Sequence, residues 1–295
     1  MTRPALALAV LFLGCTVTKR FDPQALTETL SEPIAASGAE VGVYVRNLDT
    51  GDTVFINADL RMHAASTMKV PVMIQLFRDA EAGVFEIEQP IPIGVTFRSI
   101  ADGSSYDIDP ASDSDSTLYA KVGSTVPAIE LIDLMIARSS NLATNILIAF
   151  ADARRVTATM GALGADSIEV LRGVEDLKAY EAGMSNTTTA RDLGVIFTAL
   201  AEGRAASDSA TAAMLAILAR QEFNEGIPVG LPGGTRVAHK TGAITAINHD
   251  AAIVYPAGGQ PYVLVILVRG IEDHDESSRL IATLSEIVYR AIHQS

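Results

Sequence analysis

The strand-like stretches of this chain lie at its two ends and the helical ones fill the middle, and this division limits the folds open to it. Residues 41–57, VGVYVRNLDTGDTVFIN, hold two runs rich in Val, Tyr, Phe and Ile around the turn sequence Asp49-Thr50-Gly51-Asp52, and read as a hairpin. After residue 235 come TRVAHKTG, HDAAIVYP and PYVLVILVRG, separated by turn residues. Between these ends, residues 67–82 are apolar around most of a helical circumference, which predicts a buried helix. Further helices fit 128–138 and 141–151, broken at Ser139–Ser140, and then 190–202 and 208–223. Helical stretches at 23–37 and 276–292 bracket the whole. Strands divided in this way pair most simply into one antiparallel sheet, so the expected fold class is α/β of the α+β kind. The terminal helices would cover the sheet. Residues 21–66 and 222–295 would form the sheet domain and 67–221 an inserted all-α subdomain. The polar stretch 99–117 reads as a long loop whose acidic residues face solvent.

Composition narrows the function. With 48% hydrophobic and 19% charged residues, the chain can bury a core and is not disordered over most of its length. Its formal charge of −13 repels phosphate backbones and argues against nucleic acid as a partner. The single cysteine, Cys15, excludes an internal disulfide and a cysteine-based metal site, and the five histidines show no H-E-x-x-H spacing. No metal or organic cofactor is implied, and nothing requires more than a monomer. Residues 1–20 read as a leader: Arg3, then the apolar run 5–14, too short to cross a bilayer, then small residues. Export to the periplasm or cell envelope is expected, with Cys15 a candidate for lipidation.

Three short segments carry chemistry. Ser66 and Lys69, three residues apart, would share one face of a helix, so that the amine takes the hydroxyl proton and makes a nucleophile of a weak one. Apolar neighbours such as Val70 and Met73 would desolvate that amine and lower its pKa. The plainer alternative is a serine cap beside a surface lysine, but the chain has only five lysines. Ser139-Ser140-Asn141 at the helix break offers a proton relay and a substrate-binding amide, or simply a helix cap. In Lys240-Thr241-Gly242, a lysine on an inner strand would be unusual and the glycine would mark close approach by a ligand; the alternative is an edge strand with a protective lysine.

Taken in order, S-x-x-K, S-x-N and K-T-G resemble the motifs of the class A serine β-lactamase and penicillin-binding-protein superfamily. The flanks agree: ARSSNLATN at 137–145 has a second Asn four residues after the first, and GLP at 230–232 precedes K-T-G. The resemblance spans about residues 22–292 and implies a sheet with terminal helices and an inserted α-domain. It also implies roles. Ser66 would be acylated with Lys69 as its base partner. Ser139 would protonate the leaving nitrogen, assisted by Lys240. Asn141 would bind the substrate amide, and Lys240 and Thr241, in the K-T-G motif with Gly242, the substrate carboxylate. The backbone N–H groups of Ser66 and Ala243 would form the oxyanion hole.

The match departs in several places. Ser140 stands where class A enzymes usually carry Asp. The deacylation loop resembles residues 171–193, LRGVEDLKAYEAGMSNTTTARDL, anchored by Arg172 and by Thr187-Thr188-Thr189. Val174 occupies the place expected for Glu, and Glu175 follows one residue later as the candidate base, with Asp176 and Glu181 behind it. Lys178 is placed to pair with Glu175 and weaken it as a base. Asn186 replaces the closing Asp, so a buried Arg–Asp pair would become Arg172–Asn186. No arginine follows K-T-G to assist a carboxylate, and His249-Asp250 reads as a local hydrogen-bonded pair. The resemblance implies hydrolysis of a β-lactam through an acyl-Ser66 intermediate. The alternatives are a D-alanyl-D-alanine peptidase-like or other amidase on cell-wall peptides, acylated by penicillin and slow to turn over, and a penicillin-binding sensor acylated once.

Overall fold

A computed structural model describes residues 21–293. The leader-like segment and Cys15 lie outside the described residues. After α1 (Pro23–Ser37), the strands β1 (Glu40–Asn47) and β2 (Thr53–Ile56) form the expected hairpin. The Asn47 side chain accepts from the backbone N–H groups of Asp49 and Thr50 at 2.9 and 3.1 Å, and Gly51 takes the left-handed φ of 75° that closes the turn. A two-residue strand β3 (Met62–His63) leads into the buried helix α2 (Lys69–Glu81).

The middle of the chain holds β4 (Pro90–Pro92), β5 (Thr96–Arg98), β6 (Ser105–Asp107) and β7 (Thr125–Pro127). It continues with the helices α3 (Ala128–Ala137), α4 (Asn141–Ala151), α5 (Ala153–Ala162) and α6 (Leu177–Glu181). β8 (Thr187–Thr188), α7 (Ala190–Ala201) and α8 (Asp208–Leu218) follow; then β9 (Arg236–Ile244), β10 (Ile247–Tyr255), β11 (Tyr262–Arg269) and α9 (His274–His293) close the chain.

The two ends meet as the split pattern requires. The five-stranded antiparallel sheet has the order β2-β1-β11-β10-β9, with Val43 of β1 opposite Ile266 of β11. The continuous apolar run of β11 has a direct cause: both faces of the sheet are covered. Leu264, Ile266 and Val268 pack with Leu26 and Leu30 of α1 and Leu284 and Val288 of α9. Val263, Val265 and Leu267 pack on the other side with Ile196 and Phe197 of α7 and the rest of the helical layer. α7 approaches so closely that a Cβ on Gly194 would collide with the Tyr44 ring.

Some details differ from the sequence expectation. α8 ends at Leu218 rather than 223, and α5 and α6 carry no anticipated helical signal. The central block adds the short ladders β4–β7 and β5–β6. Part of the polar stretch 99–117 thus pairs with β5 as β6, and Asp113 and Ser114 near its end bond to the residues that lead into and open α4. β9 is an edge strand, not an inner one, yet its lysine is fully buried. A side chain on an edge strand is shielded here because the helical layer packs across that end.

Candidate active site

Ser66 lies in a 3₁₀ turn, Ala65–Met68, that runs directly into α2. Ala65 before it has φ of 45°, an unusual backbone for a residue with a side chain and one that clusters at functional sites. β9 lies against this turn: a Cβ on Gly242 would stand 2.9 Å from Ser66 N and 3.0 Å from Thr67 N. Gly242 therefore admits the backbone of the nucleophile turn, a close approach that the sequence reading assigns to a ligand. Gly242→Ala is expected to push β9 off the turn and slow the acylation of Ser66 that the resemblance implies by about 10²–10³, the scale of a lost oxyanion donor. Rapid-mixing adduct formation at unchanged melting temperature would check it.

Lys69 is the first residue of α2 and is completely buried. Its amine donates to the Ser139 carbonyl at 2.6 Å, to Ser139 Oγ at 3.1 Å and to Asn141 Oδ1 at 3.0 Å. None of these bonds goes to the Ser66 hydroxyl. The hydrogen bond expected between the Ser66 hydroxyl and the Lys69 amine is not among those the amine makes, although the 3₁₀ turn keeps residues three apart on one side of the chain. Burial pulls the Lys69 pKa down to about 7, against the opposing pull of the Asp113 and Glu175 carboxylates. Lys240, also fully buried, donates to the same Ser139 Oγ at 3.1 Å and to the Thr241 carbonyl at 2.9 Å. Burial, and after it the positive charge of Lys69, push its pKa well below normal. With two amines donating to its oxygen, the Ser139 hydroxyl hydrogen is left to point elsewhere. Ser139 holds a left-handed φ of 56°.

Asn141 starts α4, and its carboxamide links two groups: Oδ1 receives the Lys69 amine and Nδ2 donates to Glu175 Oε1 at 3.1 Å. Glu175 is half-buried with φ of 61°. Burial first, then the Asp113 charge, raise its pKa, while Lys69 pulls it the other way. Lys178 does not pair with it: that amine extends to Asp102 Oδ2 at 2.8 Å and Ser104 Oγ at 2.7 Å, because the turn of α6 carries it outward. Asp176 is committed elsewhere, accepting from Ala179 N at 3.1 Å as the cap of α6 and from Ile100 N at 2.9 Å. Glu181 is exposed.

The loop carrying Glu175 is fastened by carboxamides. Asn186 Oδ1 accepts from Leu171 N and Arg172 N at 2.8 and 3.2 Å, and its amide donates to the Arg172 carbonyl at 2.9 Å. The expected Arg172–Asn186 pair thus forms through the arginine's backbone. Its guanidinium turns to the carbonyls of Met184 and Gly173 at 2.8 and 3.0 Å, since a neutral carboxamide offers it no charge. Asn145, one turn into α4, accepts from Val174 N at 2.6 Å and donates to the Val174 carbonyl at 2.9 Å, fixing the residue before Glu175. Its place in A-R-S-S-N-L-A-T-N was visible in the sequence; its partner was not. His249 and Asp250 do not bond to each other. Adjacent strand residues point to opposite faces, so Asp250 pairs with His239 Nδ1 at 2.9 Å and His249 Nε2 reaches the His63 carbonyl at 3.0 Å.

Ser66, Asn141 and Ala243 stand where two cavities meet. One, of about 260 Å³, is lined by Ser139, Thr241, Gly242 and His274, and no arginine lines it. The other, of about 530 Å³, is lined by Glu175, Leu177, Tyr180 and Ile244. Among the described residues no cluster of His, Cys, Asp or Glu could hold a metal ion.

The family model described as "Beta-lactamase enzyme family" matches residues 25–292. The chain belongs to the beta-lactamase enzyme family. Beta-lactamase AST-1 of Nocardia asteroides is 27% identical over 98% of this chain and 92% of its own length. Beta-lactamase Toho-2 of Escherichia coli is 27% identical over 98% of this chain and 96% of its own. Among solved structures, a protein named PBP-A superposes with a TM-score of 0.80 at 26% identity, covering 94% of this chain and all of that one. A variant of PBP-A, solved as an acyl-enzyme complex with penicillin G, superposes at 0.78 with 26% identity over 92% of this chain and 97% of its own. These similarities make this beta-lactamase family member a class A-like serine hydrolase, with the antiparallel sheet and helical insert of its structural neighbours.

Proposed function

We propose that this chain is an exported enzyme that hydrolyses the β-lactam amide through an acyl-Ser66 intermediate. The observation that carries the reading is the convergence of two fully buried amines, Lys69 and Lys240, on one hydroxyl, Ser139, beside the nucleophile turn. Neutral Lys69 takes the proton of Ser66 as Oγ attacks the lactam carbonyl, and the backbone N–H groups of Ser66 and Ala243 receive the oxyanion. The C–N bond breaks as Ser139 gives its proton to the nitrogen, and the amine network bonded to Ser139 Oγ replaces it. Glu175 then takes a proton from water as the water oxygen attacks the acyl carbonyl; when the ester C–O bond breaks, that proton passes back from Glu175 to Ser66 Oγ, which restores both groups.

The two cavities divide the substrate. The one with Ser139 and Thr241 takes the leaving-nitrogen side and its carboxylate. The other exposes Leu177, Tyr180 and Ile244, at 66%, 52% and 42%, which suits an apolar or aromatic acyl side chain. Export rests on the leader-like residues 1–20.

A second reading, a cell-wall peptidase that acylates with penicillin and releases it slowly, is favoured by Glu175 standing one position late in its loop. Burst kinetics with a chromogenic cephalosporin separate the two: sustained turnover supports the first reading, and a single stoichiometric burst the second. The same assay reads the base. Lys69 acts as a neutral amine, so kcat/KM is expected to fall as pH drops through about 7. A profile that stays flat well below neutrality would remove Lys69 from the role.

A further inference from the structure

The acid-rich stretch that sequence reading assigned to solvent sends one carboxylate onto the first turn of α4, behind the site. Asp113 Oδ1 accepts from Asn141 N at 2.8 Å, and Oδ2 accepts from Leu142 N at 2.9 Å and from the Tyr119 hydroxyl at 2.9 Å. Those two amides open α4 and have no partner within the helix. The next residue grips the other side of the same segment: Ser114 Oγ lies 2.9 Å from the Arg138 carbonyl and 3.0 Å from the Ser139 carbonyl. The segment so held is the one whose Ser139 and Asn141 bind the Lys69 amine. Ser140 does not take this load, because its hydroxyl accepts from Ala143 N, one residue further in, at 3.2 Å.

Resting on the acyl-transfer reading above, we propose that Asp113 is a positioning residue of the reaction. Clamped on the start of α4, its carboxylate fixes the Asn141 carboxamide that joins Lys69 to Glu175, and it places a negative charge beside both. The groups facing the Lys69 amine are Asp113 from the loop, Glu175 from the 171–187 segment and Lys240 from β9. The two carboxylates favour its protonated form and Lys240 opposes it. Glu175 in turn is harder to ionise through burial first and then Asp113, while Lys69, the Asn141 amide and the Arg172 guanidinium act the other way. Loss of the Asp113 charge therefore lowers the proton affinity of the acylation base and of the water-activating carboxylate together.

Asp113→Asn keeps the size and one acceptor while removing the charge and the second acceptor. The chain has five lysines, so ¹³C-lysine labelling gives few Cε signals, and Lys69→Arg assigns the one that matters. In the full chain carrying Asp113→Asn, the Lys69 titration midpoint is expected to fall by about half a pH unit or more. The acid limb of penicillin acylation should move the same way, with the plateau rate down about tenfold. If Asp113→Asn does not fold, Asp113→Ser, which keeps a capping oxygen without the charge, is expected to give the same lowered midpoint. A midpoint and acid limb that stay in place while only the melting temperature drops would reduce Asp113 to a helix cap and overturn the proposal. The midpoint is read without turnover, so it decides on Asp113 even if the wild-type chain is not acylated, an outcome that would by itself sink the acyl-transfer reading.

Discussion

Ser66→Ala is expected to abolish covalent capture of penicillin and to lower kcat/KM for a chromogenic cephalosporin by at least ~10³-fold. The side chain is half-buried at the meeting point of both cavities, so its loss removes one hydroxyl and leaves the packing of α2 intact. The melting temperature should hardly change. Intact mass on samples acid-quenched within the first turnover reads the result directly: wild type carries the mass of the drug at that moment and the variant does not. An adduct that persists on the variant would mean that another nucleophile is acylated, and the reaction scheme would fail at its first step.

The second large effect concerns release. Glu175→Gln keeps an oxygen to accept the Asn141 amide but removes the base. Deacylation is expected to slow by about 10²–10⁴, while the acylation burst survives. A penicilloyl adduct that is fleeting in the wild type should then accumulate and be seen by mass. The raised proton affinity of Glu175, caused first by burial and then by Asp113, implies that deacylation weakens as the medium becomes acidic, because only the carboxylate can accept a proton. Unchanged turnover in the variant would pass the role of base to another group. Asp176 is a poor successor, since its oxygens already hold Ala179 N and Ile100 N.

The order of S-x-x-K, S-x-N and K-T-G, and the placing of strands at both ends with helices between, were legible in the chain. They are written in local patterns: alternation and continuous apolar runs mark strands, and all-round apolarity marks α2. Those patterns led to the antiparallel sheet, its covering helices and the family. Local pattern could not show that the Lys69 amine binds Ser139 and Asn141, nor that the edge strand β9 buries its lysine. Nor could it show that Lys178 turns away to Asp102, or that Asp113 reaches the start of α4. Each depends on a partner far along the chain. A polar residue in a loop has the same local signature whether water or a distant helix end satisfies it, and only the packing of the folded chain chooses between them.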